Sequence, residues 1–71
     1  MEKGTVKHWN YIKGYGFVTV DDHMKEDIYF HISESLYRNI KVGDRVTFKV
    51  AKSRNRPGTL IAVDMKLIEL L

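Results

Sequence analysis

A small closed barrel of β-strands is the fold class that this sequence predicts, and three observations lead to it. Turn-forming residues recur at short intervals and separate segments rich in β-branched and aromatic side chains; they include Gly4, Gly14, Gly16, Gly43 and the pair Pro57-Gly58. No segment carries apolar residues at the spacing of an amphipathic helix that could cover an open sheet. The chain has 71 residues, enough for one small core, so we expect residues 1–71 to form a single domain.

Five strands are predicted, near residues 3–10, 15–20, 27–32, 45–50 and 59–67, with one short helical turn within 32–41. Alternation of side chains assigns two faces to each strand. The faces predicted to point into the core are Gly16, Val18 and Val20 in the second strand, Ile28, Phe30 and Ile32 in the third, and Val46, Phe48 and Val50 in the fourth. The opposite faces carry Tyr15, Phe17 and Thr19, then Asp27, Tyr29 and His31, then Arg45, Thr47 and Lys49.

The C-terminal segment is unusually apolar for the end of a short chain. We expect Met65 and Leu67 to extend the fifth strand onto the barrel. Leu70-Leu71 would then cap an open end or contact a second molecule, and the alternative is a frayed terminus. The chain is accordingly expected to be a monomer that can form a weak dimer through this tail.

Composition excludes several classes of protein. The chain has no cysteine, which excludes disulfides, thiolate metal sites and cysteine nucleophiles, and its three histidines lack ligand spacing, so we expect no metal and no cofactor. No window approaches the roughly 18 apolar residues of a membrane-spanning helix, and the N-terminus lacks a signal-peptide core, so a cytoplasmic location is expected. Five carboxylates gather around the second turn, but a filled barrel offers no pocket for catalysis, so we expect no enzyme; these carboxylates are Asp21, Asp22, Glu26, Asp27 and Glu34.

Positive charge is concentrated in the second half of the chain. The net charge is +3. Between residues 35 and 59 seven basic residues stand against Asp44 alone; they are Arg38, Lys41, Arg45, Lys49, Lys52, Arg54 and Arg56. Such a block suits a polyanionic partner such as nucleic acid, and the alternative is a solvated face that keeps the protein soluble.

Aromatic residues are concentrated in two motifs. The first is Lys13-Gly14-Tyr15-Gly16-Phe17-Val18, in which two glycines flank Tyr15. Tyr15 and Phe17 would form an exposed flat surface for stacked bases, with Lys13 at its edge. The alternative is that these rings pack in the core and the glycines relieve crowding.

The second motif is Asp27-Ile28-Tyr29-Phe30-His31-Ile32-Ser33. If the second and third strands pair as a hairpin, Tyr29 and His31 lie beside Tyr15 and Phe17 on one face. His31 could then stack on a base or form a hydrogen bond with a base or a phosphate, and the alternative is a histidine that only ends a strand.

Both motifs resemble those of the cold-shock domain proteins. Gly4-Thr5-Val6-Lys7, Asn10 and Lys13–Val18 are similar to that family's opening strand and first ribonucleoprotein motif, and Ile28–Ser33 is similar to its second. Val42-Gly43-Asp44, Val46 and Phe48, then Pro57 and Leu60–Val63, resemble its later strands. The first motif also occurs in RNA-recognition-motif domains, but there it comes late in the chain and after its partner, whereas here only 12 residues precede it.

The resemblance implies a five-stranded antiparallel Greek-key barrel of the oligonucleotide/oligosaccharide-binding (OB) type. It implies a protein that binds single-stranded RNA or DNA as an RNA chaperone or a regulator of transcription or translation. The residues expected to contact nucleic acid are Lys7, His8, Trp9, Asn10, Lys13, Tyr15, Phe17, Tyr29, His31, Ile32, Tyr37, Arg54 and Arg56. A rival hypothesis is a barrel whose exposed rings are covered by a partner protein.

The sequence departs from the family pattern at three places. Members have tryptophan then phenylalanine where this chain has His8-Trp9, so either His8 takes the stacking position or a one-residue bulge brings Trp9 there. The second motif has Ile32 in place of a phenylalanine. The loop at 52–56 is rich in arginine, so fewer rings and more cations predict binding that depends more on phosphate contacts.

Overall fold

The computed structural model describes residues 1–22 and 26–68, which form a five-stranded closed barrel. The strands are β1 (Glu2–Asn10), β2 (Tyr15–Val20), β3 (Ile28–His31), β4 (Arg45–Lys52) and β5 (Leu60–Leu67), with a single 3₁₀ turn at Ile32–Glu34 directly after β3. Neighbouring strands follow the order β1-β2-β3-β5-β4, and β4 pairs back onto β1. The all-β barrel predicted from the sequence is confirmed. Its strand pairs are antiparallel except for β3 and β5, which run parallel where Tyr29 lies opposite Ile61.

The core is the inner face of the barrel. The buried apolar residues in the described part of the chain are Val6, Val18, Val20, Ile28, Phe30, Ile40, Val46, Phe48, Ala62 and Met65. The alternation predicted for β2 and β3 is therefore confirmed, because Val18, Val20, Ile28 and Phe30 are all buried. The outer face of the same two strands is left free to carry other side chains.

Two bulges adjust the pairing of the strands. The register of β1 against β2 shifts between Val6 and His8, and Lys7 is the extra residue. Opposite Phe48, β5 contains one residue more than β4, and Asp64 there has a φ of 51°. Aspartate tolerates this left-handed conformation better than most residues. The bulge turns Met65 into the core three residues after Ala62, and burial of Met65 confirms the prediction that it packs on the barrel.

Four details of the prediction are wrong or incomplete. Val50 was expected in the core but is 39% exposed, because the hairpin formed by β4 and β5 extends beyond the last pair of β1 with β4. Ile32 begins the 3₁₀ turn instead of ending β3, although it still packs against the core. Leu67 belongs to β5 and pairs with Val46, but its side chain is 43% exposed. Leu70-Leu71 lies outside the described residues.

Candidate nucleic-acid interface

Cross-strand pairing places side chains of β1, β2 and β3 in rows that alternate between the two faces of the sheet. His8, Phe17 and Tyr29 lie opposite one another in one row, and Asn10, Tyr15 and His31 in another. The row between them is Trp9, Gly16 and Phe30. Phe30 is fully buried whereas Phe17 is 37% exposed, so the middle row faces the core and the two flanking rows face outward.

The outward rows bring five rings together, which we call the platform: His8, Tyr15, Phe17, Tyr29 and His31. The ring centroids of Tyr15 and Tyr29 are 5.8 Å apart at an interplanar angle of 24°. The Phe17 ring meets Tyr29 nearly edge-on at 5.9 Å, and the His8 ring lies 6.3 Å from both Tyr15 and Phe17. The Tyr15, Phe17 and Tyr29 rings thus meet one another in stacked or edge-to-face geometries, which aromatic pairs favour. The His8 ring is tilted against its neighbours, and His31 is placed on the same face by its pairing with Tyr15. The interpretation that Tyr15 and Phe17 pack in the core is therefore wrong.

Trp9 lies beneath the platform and not on it. Its ring stacks on the buried Phe30 ring, with centroids 5.5 Å apart and planes only 7° from parallel. Gly16 lies between them in the middle row, and a Cβ at Gly16 would overlap the His8 carbonyl oxygen and come within 2.9 Å of the Phe30 ring. The bulge at Lys7 does not bring Trp9 outward, so His8 holds the place on the outer face.

The turn between β1 and β2 is fixed by Asn10. Its side-chain Oδ1 accepts hydrogen bonds from the backbone N–H groups of Ile12 and Lys13, both at 3.1 Å. Its carbonyl accepts one from the N–H of Gly14, whose φ of 75° suits glycine. This gives Asn10 a structural role in holding the turn that carries Lys13. The Lys13 side chain is exposed and makes no ion pair within the described residues.

Ser33 orients the His31 ring. The backbone N–H of Ser33 donates to Nδ1 of His31 at 3.1 Å, and the Ser33 hydroxyl oxygen lies 2.9 Å from the same nitrogen. Because Nδ1 acts as the acceptor, the neutral ring carries its proton on Nε2. The ring therefore offers an N–H donor at the end of the platform. Sequence reasoning did not single out Ser33, although its position two residues after His31 is the spacing of such a side-chain turn.

The cations expected beside the platform differ in their surroundings. Lys7 Nζ is 3.0 Å from Oδ2 of Asp27, and this hydrogen bond is the main reason that the pKa of Asp27 lies below its usual value. Lys7 is thus engaged by a carboxylate, and the sequence analysis did not predict this pair. Arg54 and Arg56 are exposed and take part in no ion pair among the residues described.

A groove connects the platform to the arginine-rich loop. Its walls include Tyr29, His31 and Ser33 on one side and Lys52 and Arg54 on the other. Arg54 therefore lines the same groove as Tyr29 and His31 of the platform. Arg56 does not line this groove; its backbone N–H is bound to the Ser53 hydroxyl at 3.3 Å.

Tyr37 and Ile32 are held on the core side of the loop that follows β3. The Tyr37 hydroxyl donates to Oδ2 of Asp44 at 3.0 Å, and the ring packs against the core cluster. Burial, together with the Asp44 carboxylate, raises the pKa of the Tyr37 phenol. Of the predicted contact residues, the structure therefore groups the five platform rings and places Arg54 in the groove that Tyr29 and His31 also line. Trp9, Ile32 and Tyr37 pack against the core.

Asp21 and Asp27, two of the carboxylates around the second turn, form ion pairs on the surface. Asp21 accepts two hydrogen bonds of 2.7 Å from the Arg45 guanidinium, which also donates to the Thr5 hydroxyl. Within residues 1–22 and 26–68 no group of side chains has the composition of a metal site, and no helix is long and apolar enough to cross a membrane. The chemistry that this surface offers is stacking, hydrogen bonding and charge attraction.

Comparison with known proteins identifies the same architecture. The family model of the "Cold-shock" DNA-binding domain matches residues 2–64. The chain is similar to the cold shock-like protein CspD of Escherichia coli (strain K12), with 37% identity over an alignment 71 residues long that covers 93% of this chain and 95% of the relative. It is also similar to cold shock protein CspA of Staphylococcus aureus (strain NCTC 8325), with 33% identity over 60 residues, 80% of this chain and 88% of the relative. The solved structure named "drosophila Unr CSD456" superposes with a TM-score of 0.79 at 27% identity; the match covers 96% of this chain and 26% of that one, so this chain spans about a quarter of its length.

Proposed function

The chain belongs to the cold-shock domain family, whose members bind nucleic acid and are not enzymes, and on that premise we propose that it binds single-stranded RNA or DNA through the platform. The observation that carries the proposal is the pair of outward rows, which expose five rings on one face of the barrel. Unpaired bases have free faces that stack on such rings, whereas in a duplex those faces are covered by neighbouring base pairs. This favours a single strand as the ligand.

Phosphates are proposed to contact the cations that border the platform. The groove from His31 to Arg54 gives the sugar-phosphate backbone a path along the edge of the rings. Its lining holds two cations, Lys52 and Arg54, against the one carboxylate of Glu34, so the balance of charge favours phosphate. The Nε2–H group of His31 can donate to a phosphate or a base oxygen at the start of this path. Phosphate contacts carry no base information, so this part of the interface would bind all sequences alike.

The proposed role in the cell is that of an RNA chaperone or a regulator of transcription or translation in the cytoplasm. A surface that binds by stacking and phosphate contacts is tolerant of sequence, and such binding keeps many different transcripts single-stranded. The protein is proposed to act as a monomer, because one barrel presents the whole platform.

The first experiment compares single-stranded and duplex ligands. A fluorescein-labelled heptanucleotide of RNA or DNA is titrated with the protein and its anisotropy is recorded. We expect the single strand to bind more tightly than the same sequence in a duplex. Phe17→Ala, Tyr15→Ala and Tyr29→Ala should each weaken binding by about 1–3 kcal/mol, which is the worth of one stacked base. Leu36→Ala is the control, because Leu36 is an exposed apolar residue outside the platform.

The second experiment measures the dependence of affinity on salt. For single strands the slope of log affinity against log salt changes by about 0.7 for each phosphate contact. Replacing Arg54 and Arg56 together by glutamine should flatten the slope by up to about 1.4. Replacing Arg38 and Lys41 removes the same charge from a loop outside the groove and should change the slope less. Equal slopes in both double variants would show that the charges of the 52–56 loop are only solvated and contact no phosphate. If the protein bound no single strand at all, the remaining function of the platform would be to bind a partner protein.

A further inference from the structure

A second groove adjoins the platform at the end away from Arg54. It shares Phe17 and Tyr29 with the platform. Its apolar lining is completed by Met1, Ile28, Val50 and Leu60, and its charged lining by Glu2, Glu26, Asp27 and Lys49. The sequence analysis predicted no function for this groove, because it placed Val50 in the core.

The groove exists because the hairpin of β4 and β5 is longer than the barrel. β1 pairs with β4 only from Arg45 to Phe48, whereas β4 and β5 remain paired as far as Lys52 opposite Leu60. Val50 lies opposite the buried Ala62 and so points to the inner side of the hairpin, but no strand covers it there. Val50 and Leu60 are left 39% and 49% exposed, and they line the same groove as Tyr29 of β3.

The charged residues at the rim of this groove determine whether a base or a phosphate can enter it. Asp27 is bonded to Lys7, and Lys49 lies 3.8 Å from Asp64, so both have opposite charges nearby. Glu2 also has an interaction partner. Glu26 is exposed and makes no hydrogen bond or ion pair with any described residue. A carboxylate repels a phosphate but accepts hydrogen bonds from the exocyclic amino group of a base. A groove that combines apolar side chains with a hydrogen-bond acceptor favours a base over the negatively charged sugar-phosphate backbone.

We propose that this groove binds one base of the same strand, next to the base stacked on Phe17 and Tyr29, and that Glu26 accepts a hydrogen bond from its amino group. The inference rests on the proposed function and adds base selection to it. Cytosine carries an amino group at the position where thymine and uracil carry a carbonyl oxygen. The groove therefore selects cytosine over thymine or uracil at a single position of the bound strand.

The test uses a set of seven-nucleotide thymine strands in which a single cytosine occupies each position in turn. Each strand competes with a labelled all-thymine strand for the full chain. We expect cytosine at one position to improve binding about five- to tenfold and cytosine elsewhere to have little effect, because a hydrogen bond to a charged acceptor is worth at least that factor.

Two variants connect the preference to the groove. Glu26→Gln should abolish it, because the amide group can donate to a carbonyl oxygen as readily as it accepts from an amine. Glu34→Gln is the matched control, since it removes the same charge from the wall of the other groove, and it should leave the preference intact. Leu60→Ala should weaken binding of all strands a few fold, and its side chain is exposed enough for the fold to tolerate the change.

The outcomes separate the two proposals. Equal affinity for all the strands, with tight binding retained, would overturn the base groove and leave the platform in place. Loss of all single-strand binding by the unaltered protein would overturn the proposed function itself. Self-association detected by sedimentation and abolished by Leu60→Ala would show that a second copy fills the groove, which also overturns the proposal.

Discussion

Alanine substitutions of the neighbouring residues His8 and Trp9 are predicted to affect different properties. Trp9→Ala should lower stability, and His8→Ala should lower the affinity for a single strand. Trp9→Ala deletes a half-buried ring that stacks on Phe30 at 5.5 Å, whereas His8→Ala deletes an exposed ring of the platform. Removing a fully buried tryptophan costs about 3–5 kcal/mol of unfolding free energy, and half burial reduces this to roughly 2–3 kcal/mol with the stacking contribution included. His8→Ala should change the unfolding free energy by less than about 0.5 kcal/mol.

The loss expected for Trp9→Ala is large for so small a domain. With a change of about 4–8 °C in Tm for each kcal/mol, Tm should fall by roughly 10–20 °C. Since Trp9 is the sole tryptophan, unfolding is followed by circular dichroism in urea and by thermal scans, which remain usable in both variants. His8→Ala should instead lower the affinity for a single strand by about 1 kcal/mol, at the low end for a stacking ring because imidazole is small.

The two assays together test the assignment of faces. A folded Trp9→Ala protein of unchanged stability that no longer binds oligonucleotide would place Trp9 on the platform. A His8→Ala protein destabilised by 2 kcal/mol or more, at the scale of a buried ring, would place His8 in the core. Either result would refute the argument from alternating rows. Phe30→Leu serves as a positive control for core damage, because Phe30 is fully buried.

Three further predictions concern Asp27, Tyr37 and Asp64. Asp27→Asn should release Lys7 and steepen the salt dependence of oligonucleotide affinity by up to about 0.7, whereas unchanged affinity and slope would show that Lys7 meets no phosphate. The low pKa of Asp27 means that its pairing stabilises the fold above the unfolded-state pKa and is lost as pH falls through the folded-state value, so acid titration of Asp27→Asn should show a smaller loss of stability below about pH 4. Tyr37→Phe should cost about 1 kcal/mol near neutral pH; because folding raises this phenol's pKa, the difference from the parent should persist up to about pH 10 and shrink above it in urea titrations. Because φ is 51° at Asp64, Asp64→Gly should preserve or raise Tm, and Asp64→Val should lower the unfolding free energy by roughly 1–2 kcal/mol and so lower Tm. Equal Tm values for the two variants would contradict backbone strain at the bulge.

The fold and most of the platform could be predicted because both depend on period-two alternation. In β2 and β3 the alternation is uninterrupted, so Val18 and Phe30 had to face one side and Phe17 and Tyr29 the other. Their pairing also follows from the closeness of the two strands in the sequence. The same rule failed for Val50, because alternation says which way a side chain points but not whether another strand covers it.

The other differences arise from tertiary contacts that carry no local signal. The pairing of Lys7 with Asp27 joins residues 20 positions apart, and the bond from Tyr37 to Asp44 depends on how the 35–44 loop folds over the core. The left-handed backbone conformation at Asp64 also has no clear signal in the sequence, because aspartate is found in both left-handed and right-handed conformations in turns. The choice between His8 and Trp9 required the register of β1, and the bulge at Lys7 sets that register.

The packing of the core and the spacing of the platform rings both depend on the absence of a side chain at Gly16. On the inner side its missing side chain lets the Trp9 ring stack on Phe30, and a Cβ there would also overlap the His8 carbonyl oxygen of the neighbouring strand. Displacing β1 from β2 at this place would move His8 away from Phe17, its partner in the outward row. The spacing of the platform rings is therefore set from beneath by the packing of the core. For this reason we expect a substitution at Gly16 to change stability and binding together, and substitutions of the outward rings to change binding more than stability.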